Sequence, residues 1–166
     1  MSASFRYAAL QDVDRLLEMM RTLYAHDGIP FDEQKSRKAI DELITPVDCA
    51  FNAFGRIWLI ESEGAVAGYM VLTFGFSIEY GGVHGFLDEL FVADSFRGLG
   101  LGSAAIEHAS ALCRSLGLTV ILLEVAFENT RAHALYERLG FREHGRRLMS
   151  RLLTAPQHAP AATLSD

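Results

Sequence analysis

Residues 97–102 read Arg97-Gly98-Leu99-Gly100-Leu101-Gly102, with a glycine at every second position. A residue without Cβ loses more freedom on folding than any other, so such a run weakens any regular element that contains it. It therefore marks a loop, and its flanks say what the loop joins. Upstream, the apolar and β-branched stretch Val83 to Val92 predicts a strand. Downstream, Ala105, Ile106, Ala109, Cys113 and Leu116 recur at helical spacing and predict a helix over Gly100–Leu116, closed by Gly117. Backbone N–H groups at a helix start have no partner within the helix, and the helix dipole adds about half a positive charge there. Glycines let phosphate oxygens reach those groups unobstructed. Arg97 through Ser103 are thus candidates to hold a phosphate or pyrophosphate by main chain. Arg97 either adds charge or braces the loop. A tight strand-to-helix turn with no ligand is the plain alternative.

Periodicity orders the rest of the chain. Ser4 to Leu10 predicts a first strand. Val13, Leu16, Leu17, Met20 and Leu23 or Tyr24 predict a helix, broken by His26-Asp27-Gly28-Ile29-Pro30. A second helix over Asp32–Ile44 buries Ala39, Ile40, Leu43 and Ile44 and stops at Pro46. Two strands, Gly55–Glu61 and Val66–Phe76, join through a turn at Glu63-Gly64, and Tyr80-Gly81-Gly82 turns into the strand at Val83. Leu118 to Val125 is strongly apolar, which predicts a strand in the middle of the sheet. Asn129 caps a short helix ending at Leu139-Gly140, and a last strand runs from Phe141 to Leu153. The order is β-α-α-β-β-β-α-β-α-β. Consecutive middle strands should pair antiparallel, and the unit from 83 to 125 should be parallel with a right-handed crossover.

Length and charge narrow the classes. The chain has 166 residues, half of them hydrophobic, which suits one domain over residues 1–153 with a small, polar and flexible tail over 154–166. No apolar run of about 18 residues could cross a membrane, and the N-terminus has no basic-then-apolar signal pattern. A net charge of −6 without a Lys/Arg cluster argues against nucleic acid or an anionic membrane as partner and suits a cationic substrate. The six histidines show no HExxH, so no metal site is expected. Cys49 and Cys113 stand far apart and read as free thiols of a cytoplasmic protein.

No lysine follows the glycines, which excludes the P-loop pattern. Gly100 to Ala105 does spell G-x-G-x-x-A, the dinucleotide fingerprint, with Glu124 placed for a ribose hydroxyl. Against it, Ala93 to Phe96 separate the strand from the loop, and too little chain follows Glu124 for a doubly wound sheet.

A second constellation lies downstream: Asn129, Ala132, Leu135, Tyr136, Gly140 and Phe141 match N-x-x-A-x-x-L-Y-x-x-x-G-F. By spacing alone, Tyr136 could equally be an amphipathic core residue. Together with Arg97-x-x-Gly100-x-Gly102 and the preceding Asp88-Glu89-Leu90-Phe91-Val92, this pattern resembles the GNAT superfamily of acyl-CoA-dependent N-acyltransferases. The resemblance spans about residues 4 to 152. It implies a mixed α/β (α+β) fold, a largely antiparallel central sheet with helices on both faces, and a homodimer. It implies acetyl-CoA as co-substrate in a cleft between the 83–92 and 118–125 strands. Main chain near Leu90, Phe91 and Val92 would bond the pantetheine arm. The amides of Arg97, Gly98, Leu99, Gly100, Leu101, Gly102 and Ser103 would take the pyrophosphate. Asn129 would line the coenzyme side, and Tyr136 would protonate the leaving thiolate. A GNAT-like module that only senses CoA is the non-catalytic alternative.

Acetyl transfer to an amine needs a base, because an ammonium has no lone pair. His84, Asp88 and Glu89 are the candidates. Strand alternation puts Asp88 and Glu89 on opposite faces, pairs Asp88 with His84 and pairs Glu89 with Phe91. Glu89 is preferred, acting directly or through a water. The acceptor pocket is expected between residues 25–32 and 74–80. There Asp27, Glu79 and Tyr80, with Asp88 and Glu89, would suit a small primary amine, a polyamine or a lysine side chain.

Overall fold

A computed structural model describes residues 3–45 and 54–153. Cys49, Pro46 and the tail expected from Thr154 lie outside the described residues. Five strands form one sheet in the order β1-β2-β3-β4-β5, where β1 is Ala3–Tyr7, β2 Gly55–Ser62, β3 Ala65–Ser77, β4 Gly82–Val92 and β5 Ile121–Leu123. The first four pair antiparallel and β4 with β5 parallel. The helices are α1 Val13–Asp27, α2 Glu33–Ile44, α3 Leu101–Ser115 and α4 Thr130–Arg138.

Alternation along β2 and β3 creates the two faces. Trp58, Ile60, Met70 and Leu72 pack with Leu101, Ala105, Ile106, Ala109 and Cys113 of α3. Ile57, Leu59, Tyr69 and Val71 pack with Val13, Leu16, Leu17 and Met20 of α1 and Ile40 of α2. The turn at Glu63-Gly64 has φ of 53° and 80°, as a two-residue hairpin of the type that matches strand twist requires.

Several expectations need correction. The first strand stops at Tyr7, and Leu10–Asp12 forms a single 3-10 turn leading into α1. Helix α1 continues through His26 and Asp27 before Gly28 ends it in the left-handed conformation. Ala39 is exposed, so α2 buries a narrower stripe than expected. The apolar run 118–125 yields only the three residues of β5, at the edge of the sheet rather than its middle. The cause lies on both sides. Pairing with β4 stops at Leu87↔Leu123, and residues 141–153, expected as the next strand, form no strand and are largely exposed.

The entry into α1 is tied to the sheet edge. Arg6 donates to both oxygens of Asp12 at 2.7 and 2.8 Å and to Glu61 at 2.7 Å, while Asp12 also accepts from the Ala9 amide at 3.0 Å. The Arg6 guanidinium holds the Asp12 carboxyl below its ordinary range. A depressed carboxyl contributes stability above its unfolded-state value, and that contribution is lost as pH falls through the folded-state value. Asp12→Asn should therefore cost about 2 kcal/mol at neutral pH by chemical denaturation. The difference from the unchanged protein should shrink as the pH approaches the folded-state value.

Candidate active site

Strand β4 carries the site, and its shape is set by one irregularity. Val71 lies opposite Glu89 and Leu72 opposite Leu87, which leaves Asp88 as an extra residue, a β-bulge. The bulge resets alternation. Gly85 and Leu87 are buried on the α3 side before it, and Leu90 and Val92 pack on that same side after it. Glu89 and Phe91 turn to the α1/α2 side instead. The expected parity is thus corrected. His84, not Asp88, shares a face with Glu89, and Asp88 sits exposed at the bulge.

The bulge also begins where β4 and β5 separate. Their pairing covers only Gly85↔Ile121 to Leu87↔Leu123, so Asp88 to Val92 have no strand on that side. Leu90, Phe91 and Val92 thus flank an opening between two strands that are parallel and joined below it.

The glycine loop stands at the end of β4. Gly98 and Gly100 take φ of 81° and 79°, the left-handed region that an L side chain adopts only with strain. A Cβ at either would meet nothing within 4 Å, so the space beside them is open. Gly100 is the N-cap of α3, and the amides of Leu101, Gly102 and Ser103 form its first turn. Leu101 itself is buried and anchors that turn, while Leu99 is exposed. Arg97 braces the loop: its Nε donates to the Val92 carbonyl at 3.1 Å and its Nη1 lies 3.0 Å from Asp94.

The second constellation lies against the first. A Cβ at Gly102 would sit 3.4 Å from Leu135 Cδ2, so the first turn of α3 lies against the middle of α4. Asn129 caps α4, its Oδ1 accepting from the Ala132 amide at 3.1 Å. Tyr136 packs on the α3-side core with its ring 5.8 Å from Phe141, and burial raises its hydroxyl above the ordinary phenol range.

Glu89 is the most constrained polar group of the site. Its Oε1 accepts from Tyr24 at 2.6 Å and its Oε2 from Tyr69 at 2.7 Å. Burial pushes its carboxyl up, and the two hydroxyls oppose that shift. Glu89 and Asp88 stand at a cleft of about 390 Å³, its open mouth included, otherwise lined mainly by apolar side chains such as Met20, Ile40, Leu43 and Val71. Asp88, for all its exposure, is raised by the protein mass beside it. Burial is the main cause that raises both Glu89 and Tyr136, and the charge of Asp27 adds to each shift.

The remaining candidates fall elsewhere. The His84 ring crosses over Gly75, 5.9 Å from Tyr80, and its buried Nδ1 has no partner among the described residues. Glu79 is taken by Arg146, which grips both of its oxygens at 2.7 and 3.0 Å, so its charge is already answered. Tyr80 stacks edge-on between His84 and His144. The acceptor wall expected at 74–80 is thus not where the cleft opens; Phe76 and Ile78 point into solvent. The cleft lies between α1, α2 and the sheet. Sequence reasoning missed Tyr24 and Tyr69 as site residues, since neither sits in a motif. Among the described residues no group of three or more His, Cys, Asp or Glu side chains could hold a metal ion, and no helix is long and apolar enough to cross a membrane.

Comparison with known proteins speaks to the family and the fold. The sequence model of the Acetyltransferase (GNAT) family matches residues 17–141. The peptidyl-lysine N-acetyltransferase YjaB of Salmonella typhimurium is 31% identical over 111 residues, which cover 66% of this chain and 63% of YjaB. An uncharacterized N-acetyltransferase of Methanocaldococcus jannaschii is 40% identical over 57 residues, 34% of this chain and 25% of the relative. The chain thus spans less than two thirds of the length of the curated relatives it matches. Among solved structures, an integron cassette protein from the mobile metagenome of Cole Harbour Salt Marsh superposes with a TM-score of 0.76 at 36% identity, over 92% of this chain and 91% of that one. A predicted acetyltransferase from Clostridium acetobutylicum, crystallised with acetyl-CoA, superposes with a TM-score of 0.73 over 90% of this chain and 96% of its own, and at 13% identity that likeness concerns the fold alone.

Proposed function

Because the chain belongs to the GNAT acetyltransferase family, we propose that it moves an acetyl group from acetyl-CoA directly to a primary amine. The observation that carries this reading is the opening between β4 and β5, with the glycine loop at one end and Glu89 at the bulge beside it. Acetyl-CoA supplies an acetyl group activated as a thioester. The left-handed glycines leave room for a diphosphate at the start of α3, where the amides of residues 97–103 and the helix dipole favour negative charge. Arg97, already bonded to Val92 and Asp94, shapes that cradle. Main chain at Leu90, Phe91 and Val92 accompanies the pantetheine arm, and an N–H near Val92 faces the developing oxyanion. Asn129 lines the coenzyme side. Glu89 takes the proton of the incoming ammonium. Tyr136, kept protonated by its burial, delivers a proton to the departing sulfur.

For the acceptor, the cleft favours an ammonium at the end of an apolar arm, with Asp88 and Glu89 as the acidic end, Asp27 adding negative charge nearby and apolar side chains along the walls. A lysine side chain has this form, and the name of YjaB supports a peptidyl lysine. A small alkyl amine is the second reading. We further infer one GNAT domain over residues 1–153 that acts as a homodimer, which light scattering tests.

The deciding experiment pairs thermal shift with turnover. At a hundredfold excess over its dissociation constant, acetyl-CoA should stabilise the protein by about 2.7 kcal/mol, whereas NAD should leave the melting point unchanged. Thiol release on adding lysine peptides or alkyl amines should then exceed the rate with no acceptor. A shift with NAD alone would favour the dinucleotide reading. A shift with acetyl-CoA but no release across a broad amine panel would leave a sensor rather than an enzyme.

A further inference from the structure

We propose that Tyr24 and Tyr69 are positioning residues that clamp the Glu89 carboxylate, one hydroxyl on each oxygen, in the orientation in which it meets the amine. The inference rests on Glu89 as the base but concerns residues outside every motif. The two donors come from different elements, α1 and β3, and reach different oxygens at 2.6 and 2.7 Å. Those lengths belong to the short class of O–H···O⁻ bonds, about 2.5–2.7 Å, made to an ionised acceptor. Two anchors from two elements remove the rotation of the carboxylate plane, which a single anchor would leave free. Each oxygen keeps a further acceptor position, so the clamp holds the group without closing it. Tyr69 has no solvent exposure, and Glu89 is the acceptor its hydroxyl uses there. Burial raises both tyrosines, so they remain proton donors wherever the enzyme works.

The electrostatic balance around Glu89 gives the clamp a second consequence. From α1 it faces Tyr24 and Asp27, from β3 Tyr69, and on β4 Asp88. The cleft-lining residues of α2 and β2, such as Ser36, Ile40 and Ile57, carry no charge. Burial and the two acids raise the carboxyl, and only the two hydroxyls bring it down. Without a hydroxyl, a larger share of Glu89 stays protonated on the acid side, where it cannot act as base.

The test is the pH dependence of kcat/KM for Tyr24→Phe and Tyr69→Phe, with Tyr7→Phe as control on the exposed face of β1. Loss of one donor to a charged group should lower the rate about tenfold on the acid limb, where protonation of Glu89 adds to its freed rotation, and by a smaller factor on the alkaline plateau, where rotation alone acts. A carbon-13 NMR titration of the Glu89 carboxyl, run without acceptor, should move to higher pH in both variants and stay put in the control. If Tyr69→Phe folds poorly, Tyr24→Phe, on the half-buried face of a helix, carries the test alone. An unmoved Glu89 titration, or a rate unchanged at every pH in both tyrosine variants, overturns the clamp. If the titration moves while Glu89→Gln leaves the rate profile intact, the clamp stands and Glu89 is not the base. If Glu89→Gln removes the acid limb while the tyrosine variants change nothing, the base stands and the clamp falls.

Discussion

Gly100→Glu should abolish coenzyme binding, with no heat on titrating acetyl-CoA at concentrations that saturate the unchanged protein. Gly100 caps α3 with φ of 79° and ψ of 3°, and an added Cβ would touch no protein atom within 4 Å. The new side chain therefore meets little resistance from the fold beyond the left-handed backbone, which costs a non-glycine residue about 1–2 kcal/mol. Its carboxylate instead occupies the space a diphosphate needs, and sits at the helix end that favours negative charge. Gly100→Ala separates the two effects. It carries the same backbone strain without the charge, so it should melt lower yet still bind. Retained binding by Gly100→Glu would show that the diphosphate lies elsewhere, and the reading of the loop would fall with it.

Glu89→Gln should lower kcat/KM by about 10²–10⁴, the range that a positioned acid or base contributes, while coenzyme binding stays within error of the unchanged protein. The amide keeps the size and most of the shape of the acid. It can accept from Tyr24 or Tyr69 but not from both, and it cannot take a proton. The acid limb of the pH profile should disappear with it, since no carboxyl remains at that position to titrate. An unchanged rate would move the role to His84, which the bulge puts on the same face, or to bulk solvent acting on an already neutral amine.

Much of this architecture was legible in the chain. The periodicity of Val13 to Met20 and of Ala105 to Cys113 gave two helices and the faces they bury, because helical burial repeats within a short window. Glu63-Gly64 and the glycines from 98 to 102 announced a hairpin and a strand-to-helix loop, because left-handed conformations select residue type locally. The bulge left a fainter trace. Val83, Gly85 and Leu87 are apolar or small at odd positions, and Leu90 and Val92 are apolar at even ones, so the phase breaks between them. Simple alternation, applied through the break, paired His84 with the wrong acid. The clamp on Glu89 left no trace at all, since Tyr24 and Tyr69 lie 65 and 20 residues from it. The same holds for Glu79 and Arg146, 67 residues apart, whose ion pair removed a candidate cation site. Apolar content alone overstated the strand at 118–125. A strand also needs a neighbour, and here the neighbour on one side turns away after Leu87.

The slip in pairing at position 88, rather than side-chain choice, decides which face Glu89 and Phe91 present. Flatten the bulge with Asp88 kept in strict alternation and Glu89 and Phe91 would swivel beneath α3, while Leu90 and Val92 would take their place against α1 and α2. Point substitutions explore chemistry within a fixed frame. A one-codon deletion here would take away Asp88 and the bend it makes, and leave Glu89 and Phe91 on the face they already occupy.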